Sequence, residues 1–259
     1  MISHLLLSSM AVAPAAVPAD AIETDRPVTP LVQDDEEPMG VWTGSVNVGA
    51  TWTSGNTEIT TLSAAADATY REEDYRHTLK AWWNYAEQEN SAGESELTQR
   101  RVGGSYKYDY FATERLYYNG LFGIEADELA NLDLRWYAGA GVGYVFFDEE
   151  AMGLDGEAGI VYFSEEFETG DDNDYVAARV AYAYWNQINE QTRFEQDLEA
   201  FPSLEDVEDF YGRLDSRLQV KMSDNMYAQI QHVFDYDNTP APGAQRDDHR
   251  VIVGVGWSF

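Results

Sequence analysis

The sequence predicts an all-β chain, a transmembrane up-and-down antiparallel β-barrel of about twelve strands. Three observations carry that prediction. From Val41 onward, polar and apolar side chains alternate with a period of two rather than 3.6. The connections between the alternating segments are short at one end and longer at the other. The last segment, 251–259, sets Val251, Val253, Val255, Trp257 and Phe259 on one apolar face and stops on the aromatic residue, as a closing barrel strand would.

Residues 1–21 read as a secretory signal peptide. Leu5-Leu6-Leu7 opens a short apolar core, and Val17-Pro18-Ala19 or Ala19-Asp20-Ala21 supplies small residues for cleavage. Pro14 and Pro18 would interrupt a structural helix there, although the usual Lys or Arg near the start is missing. Residues 22–40 contain Asp34-Asp35-Glu36-Glu37-Pro38, lack periodicity and read as a disordered acidic periplasmic tail. Residues 41–259 make one barrel domain.

The first strand sets Trp42, Gly44, Val46, Val48, Ala50 and Trp52 on one face and Thr43, Ser45, Asn47, Thr51 and Thr53 on the other. Ser54-Gly55-Asn56-Thr57 is a tight turn whose Gly and Asn tolerate positive φ. The second strand returns with Leu62, Ala64, Ala66, Ala68 and Tyr70 outward and Thr61, Ser63, Asp67, Thr69 and Arg71 inward. Further strands are expected near 75–87, 96–110, 114–126, 131–147, 152–164, 174–186, 191–201, 207–222, 225–237 and 248–259. Segments 174–186 (Ala-rich) and 191–201 (three acids on one face) are weak, and a count of ten stays open. The connections at 72–74, 111–113, 148–151, 187–190 and 223–224 are short, whereas 88–95, 165–173 and 238–247 are longer. Short periplasmic turns facing longer outer loops are the asymmetry of a bacterial barrel.

A soluble barrel would turn its apolar residues inward; here the polarity is inverted. Tyr and Trp fall near strand ends on the outward face, where a ring that is apolar and an OH or NH that wants water both find their place. Gly139, Gly141 and Gly143 fall on the inner face. Their GxGxG spacing with no following helix makes them structural glycines that leave room for bulky neighbours, not a phosphate loop.

Composition excludes several functions. With 16 Lys and Arg against 47 Asp and Glu, a formal charge of -31 and a pI near 4.1, nothing could neutralise a run of nucleic-acid phosphates. No stretch approaches the ~18 apolar residues of a membrane helix. Cysteine is absent, and no cofactor is expected.

Trp42-x-Gly44, Gly49 and the turn Ser54-Gly55-Asn56-Thr57 resemble the opening of the YdiY-like family of outer-membrane proteins labelled salt-induced. Asp133-Leu134-Arg135 followed by Gly139-x-Gly141-x-Gly143-Tyr144 resembles that family's central strand, and Glu157-x-Gly159 and the last strand continue the similarity over 41–259. The resemblance implies a Gram-negative outer-membrane location and a barrel architecture, and brings no catalytic or ligand residues. The acidic loops and the atypical start depart from it.

The inner face carries both signs of charge. Register places Arg71, Lys80, Arg101, Glu125, Asp133, Arg135, Asp155, Glu157, Arg179, Arg213, Asp215 and Arg217 there. Such charges either line a narrow channel for ions or small solutes or pair into a plug that only stabilises the envelope; the two readings stay open. Val253, Val255, Trp257 and Phe259 are the expected signal to the barrel-assembly machinery. The acidic loops, which include Glu165, Glu166 and Asp171-Asp172-Asn173-Asp174, would attract divalent cations and share them with lipopolysaccharide phosphates. Alternatives to a non-enzymatic barrel are a cation- or surface-binding module using these loops, and an outer-membrane hydrolase using His249 or His232.

Overall fold

The computed structural model describes residues 39–53, 58–89, 95–128, 132–168, 172–204, 210–238 and 246–259. The expected signal peptide and nearly all of the acidic tail, like the turn at 54–57 and part of the long loops, lie outside these residues. The described residues form twelve antiparallel strands: β1 (Trp42–Thr53), β2 (Glu58–Arg71), β3 (Tyr75–Glu89), β4 (Ser95–Phe111), β5 (Leu116–Asp127), β6 (Leu132–Glu149), β7 (Met152–Phe167), β8 (Asn173–Asn189), β9 (Thr192–Pro202), β10 (Phe210–Lys221), β11 (Met226–Asp237) and β12 (Asp247–Ser258). Each pairs with its sequence neighbours, and β1 pairs with β12 to close the barrel. The count is twelve. The weak segment near 191–201 forms β9 with strict alternation, because its inward Glu195, Asp197 and Glu199 are buried against inward cations.

Short turns hold one end of the barrel: Glu72 N–H donates to Tyr75 O at 2.9 Å, Ala112 N–H to Leu116 O at 2.9 Å and Met222 N–H to Met226 O at 2.8 Å. The outer wall is apolar. Val46, Val48, Val102, Phe122, Ile124, Ile160, Val180, Ile230, Val251 and Val253 are exposed on it. A water-soluble barrel does not leave so continuous an apolar band bare, whereas a lipid-facing one needs it. Aromatic rings cluster at both ends of the wall. Trp42 and Tyr70 lie 5.5 Å apart and His77 and Tyr108 5.1 Å apart at the short-turn end; Trp136 and Tyr162 lie 5.5 Å apart toward the long loops.

On the inner wall, five rings lie over five glycines that are their direct cross-strand partners: Trp82 over Gly103, Tyr137 over Gly123, Tyr117 over Gly143, Trp185 over Gly153 and Tyr227 over Gly256. A Cβ on any of these glycines would collide with the ring. The absence of a side chain thus lets a large ring lie flat on the wall and fill the lumen sideways. Sequence reading anticipates this room at Gly143.

Two expectations need correction. Asp133 does not face inward with Arg135. A bulge between Leu132 and Leu134 inserts one residue, so Leu132 and Arg135 are both buried inside and Asp133 is exposed. A strict period of two cannot register an inserted residue. Nor is the interior uniformly polar: Leu121, Tyr137, Val161, Phe163, Ala177, Phe201 and Tyr211 form an apolar cluster inside β5–β10, with Phe163 stacked 4.9 Å from Tyr175.

The closing seam is short. Ser45–Gly49 of β1 pairs with Gly254–Ser258 of β12, and Gly44 and Phe259 exchange backbone hydrogen bonds of 3.1 and 3.0 Å. Among the described residues the seam stops at Gly49 and Gly254, beyond which β1 pairs with β2 and β12 with β11.

Replacing Gly123 with Val should lower the unfolding free energy by about 1–3 kcal/mol, because the branched side chain has no space beside Tyr137. Urea unfolding of the refolded barrel would measure it. The double variant Gly123→Val, Tyr137→Ala should be less destabilised than the sum of the two single changes.

Candidate functional site in the barrel interior

Three groups of paired charges occupy the interior. The first lies toward the long loops on β4–β7. Arg101 Nη2 is 2.5 Å from Glu125 Oε2, Arg135 Nη1 is 2.5 Å from Glu125 Oε1, and Arg135 Nη2 is 2.6 Å from Glu165 Oε1. Glu165 is fully buried. It belongs to this interior chain and not to the acidic outer loop in which the sequence reading put it, because β7 extends to Phe167.

The second group lies toward the short turns. Lys107 pairs with Glu157 across two intervening strands, Arg179 Nη1 is 2.6 Å from Glu157 Oε2, and Arg179 Nη2 is 2.5 Å from Glu199 Oε1. Tyr117 donates to Glu157 at 2.7 Å and to Asp155 at 3.2 Å. Arg76 pairs with Asp109 at 2.7 Å. Arg71 places its guanidinium 3.5 Å from the centre of the Phe111 ring. Chords from β4 to β7 of this kind fill that part of the lumen.

The third group reaches across the barrel. Arg217 of β10 pairs with Asp197 of β9 and lies 3.6 Å from Asp215, which accepts from Gln231 at 2.7 Å. On the facing wall, Ser45 donates to Asp67 at 2.6 Å. Asp67 sits in the field of Lys80 beside it and of Arg217 and Glu195 opposite, and Asp197 sits in the field of Lys80. Arg213 is 3.6 Å from Asp235 nearer the long loops.

Between these walls a cavity of about 100 Å³ remains. It is lined by Asn47, Gly49, Ser63, Ala65, Asp67, Lys80, Trp82 and Asn84 from β1–β3, by Arg101 of β4, and by Arg213, Asp215, Arg217, Gln229, Gln231, Ile252 and Gly254 from β10–β12. At roughly 30 Å³ per water, it holds about three waters. Five of the sequence-selected charges (Lys80, Arg101, Arg213, Asp215 and Arg217) meet on its wall. Arg71, Glu125, Arg135, Asp155, Glu157 and Arg179 lie inside the barrel away from it, and Asp133 lies outside. Sequence reasoning missed Trp82, Tyr117, Asp109 and Glu165. An aromatic residue in an inward position opposite a glycine was the available signal for the two rings.

On the outer wall His232 Nε2 and His249 Nδ1 are 3.1 Å apart in nearly parallel rings, and His249 Nε2 is 3.9 Å from Asp247. The pair is exposed, and neither histidine lines the cavity. Among the described residues no group of three or more His, Asp or Glu side chains is arranged to hold a metal ion.

A closed, even-stranded sheet with an apolar exterior and a charged interior is a β-barrel of the outer-membrane type. Residues 46–259 match the family described as a protein of unknown function, DUF481, and the chain belongs to that family. The fold is similar to that of the NanC porin, which is 8% identical and has a TM-score of 0.54, with 84% of this chain and 100% of that chain covered. It is also similar to the COG4313 outer membrane channel from Pseudomonas putida F1, at 12% identity and a TM-score of 0.53, over 87% of this chain and 97% of that one. At such identities the likeness is one of fold. No curated protein matches the chain.

Arg217→Ala should destabilise the barrel by about 3–5 kcal/mol, since it leaves Asp197 and Asp215 as buried carboxylates without their cation. Urea titration of the refolded variant, followed by tryptophan fluorescence, would show it as an earlier midpoint.

Proposed function

We propose that this protein is a non-enzymatic channel of the bacterial outer membrane, passing small polar solutes or ions through a narrow lumen. The observation that carries the reading is the cavity. A barrel whose interior served stability alone would pack it to the density of a protein core. Here β1, β2 and β12 instead present Gly49, Ser63, Ala65 and Gly254 to a polar volume. Charged and amide groups on its wall are the chemistry of a selective constriction. The apolar wall and its aromatic ends are the surface for outer-membrane lipid and lipopolysaccharide, with divalent cations shared at the acidic rim. Export by the segment 1–21 belongs to the same proposal, as does reading of the strand bearing Val253, Val255, Trp257 and Phe259 by the assembly machinery.

The purified barrel in planar lipid bilayers should give small, discrete conductance steps. Ala65→Phe, which fills the cavity, should abolish them while leaving the barrel folded. A wild-type protein that stays silent would remove the channel and leave the ion-pair network as an envelope-stabilising plug.

Deleting Phe259 removes both backbone hydrogen bonds to Gly44 and the ring that packs on it. The amount of folded protein recovered in outer-membrane fractions should fall severalfold; an unchanged amount would show that the terminal residue carries no assembly signal.

A further inference from the structure

The chain as a whole is strongly acidic, yet the cavity wall is not. Lys80, Arg101, Arg213 and Arg217 stand on it against only two carboxylates. Of the carboxylates that pair with the three arginines, Glu125, Asp235, Asp197 and Glu195 lie off the cavity wall, and Asp215, 3.6 Å from Arg217, stands on it. A guanidinium has five N–H donors, and one carboxylate engages two of them at most in a bidentate pair. The cavity therefore meets the cationic side of the Arg101–Glu125 and Arg213–Asp235 pairs. Both acids that do stand on the wall already accept from neutral neighbours, Asp67 from Ser45 and Asp215 from Gln231.

Trp82 adds an independent observation. It is 4% exposed, it lines the same cavity, and its ring Nε1–H has no acceptor. Indole nitrogen only donates, so what satisfies it must bring a lone pair. A cation does not, and four positive side chains oppose one. The amides of Asn84 and Gln231 on the wall can both donate and accept, which suits hydroxyl groups. A cavity of roughly 150 Å³ holds benzene, so about 100 Å³ admits a solute of about four or five non-hydrogen atoms.

We infer that the cavity is a binding site for a small hydroxylated carboxylate, its anionic end held by Lys80, Arg101, Arg213 and Arg217. This names the solute class for the channel proposed above and rests on that reading only for passage, not for binding. The cavity wall itself carries four cations and two carboxylates, whereas the whole chain carries 16 Lys and Arg against 47 Asp and Glu.

The test is calorimetric titration of the detergent-solubilised, full-length barrel with glycolate and, separately, with ethylene glycol, together with reversal potentials of the same preparation in bilayers under a salt gradient. Glycolate should bind and ethylene glycol should not, and the reversal potential should report anion preference. The double variant Lys80→Gln, Arg213→Gln should weaken glycolate by roughly tenfold or more, the loss of charge-assisted hydrogen bonds. Arg213→Lys should retain most of the binding, which separates loss of charge from loss of fold. Arg100→Gln, which disrupts only an exposed outer pair with Glu128, should change nothing. Equal heats for glycolate and ethylene glycol, or none for either, overturn the site. A silent barrel that still binds glycolate removes the channel and keeps the site; a conducting, cation-preferring barrel indifferent to glycolate keeps the channel and removes the site.

Discussion

Closure of the backbone ladder is the constraint from which the rest follows. Every strand of this sheet has a partner on both sides, including β1 and β12, so backbone N–H and C=O groups are satisfied within the sheet. Only then can the outer wall be predominantly apolar without a polar edge to hydrate. Apolar side chains are thereby drawn outward, and the inner wall is left to polar residues. The seam that completes the ladder is also its shortest pairing, and the backbone bonds between Gly44 and Phe259 extend it to the last residue.

Charges held inside a narrow barrel are costly to desolvate, so the interior is stable only if each is matched. The match here is chained rather than pairwise: Glu125 bridges Arg101 and Arg135, Glu157 bridges Lys107 and Arg179, and Glu199 takes the other side of Arg179. Sharing one carboxylate between two cations fixes strands that are not neighbours, as Lys107 of β4 and Glu157 of β7 show. The network thus specifies the shape of the lumen, beyond whatever it adds to stability.

The strands were legible because alternation in a lipid-facing sheet is enforced on both faces; only the Ala-rich β8 and the acid-laden β9 read weakly, and they left the count between ten and twelve. Inward placement of Arg101, Glu125, Arg179 and Arg217 follows from the same parity. Asp133 was not legible, since a bulge depends on how β6 meets both β5 and β7. Glu165 was misplaced because an acid beside another acid near a strand end resembles a loop until the length of β7 is known. The apolar cluster around Phe163 escaped for a different reason. Inward aromatics lie in the same alternating positions as inward polar residues, and only the glycines opposite them mark where a ring can lie flat. Which side of the lumen stays open is a property of three-dimensional filling, and no periodicity carries it.

That asymmetry links closure to the site. The rings and ion chains crowd the β4–β10 side, where Tyr137, Phe163, Phe201 and Tyr211 pack together. The seam side carries one such ring, Tyr227 over Gly256, and beyond it is not filled in the same way. At Gly49 and Gly254 the two closing strands come so near that a Cβ on Gly254 would stand 2.7 Å from Val48 O, and one on Gly49 would stand 3.1 Å from Ile252 Cγ2. Small residues are needed there for the barrel to shut, and small residues leave space behind them. The cavity lies behind this seam because the last step of closure excludes bulky side chains from it, and the cations of β3, β4 and β10 face the volume that results.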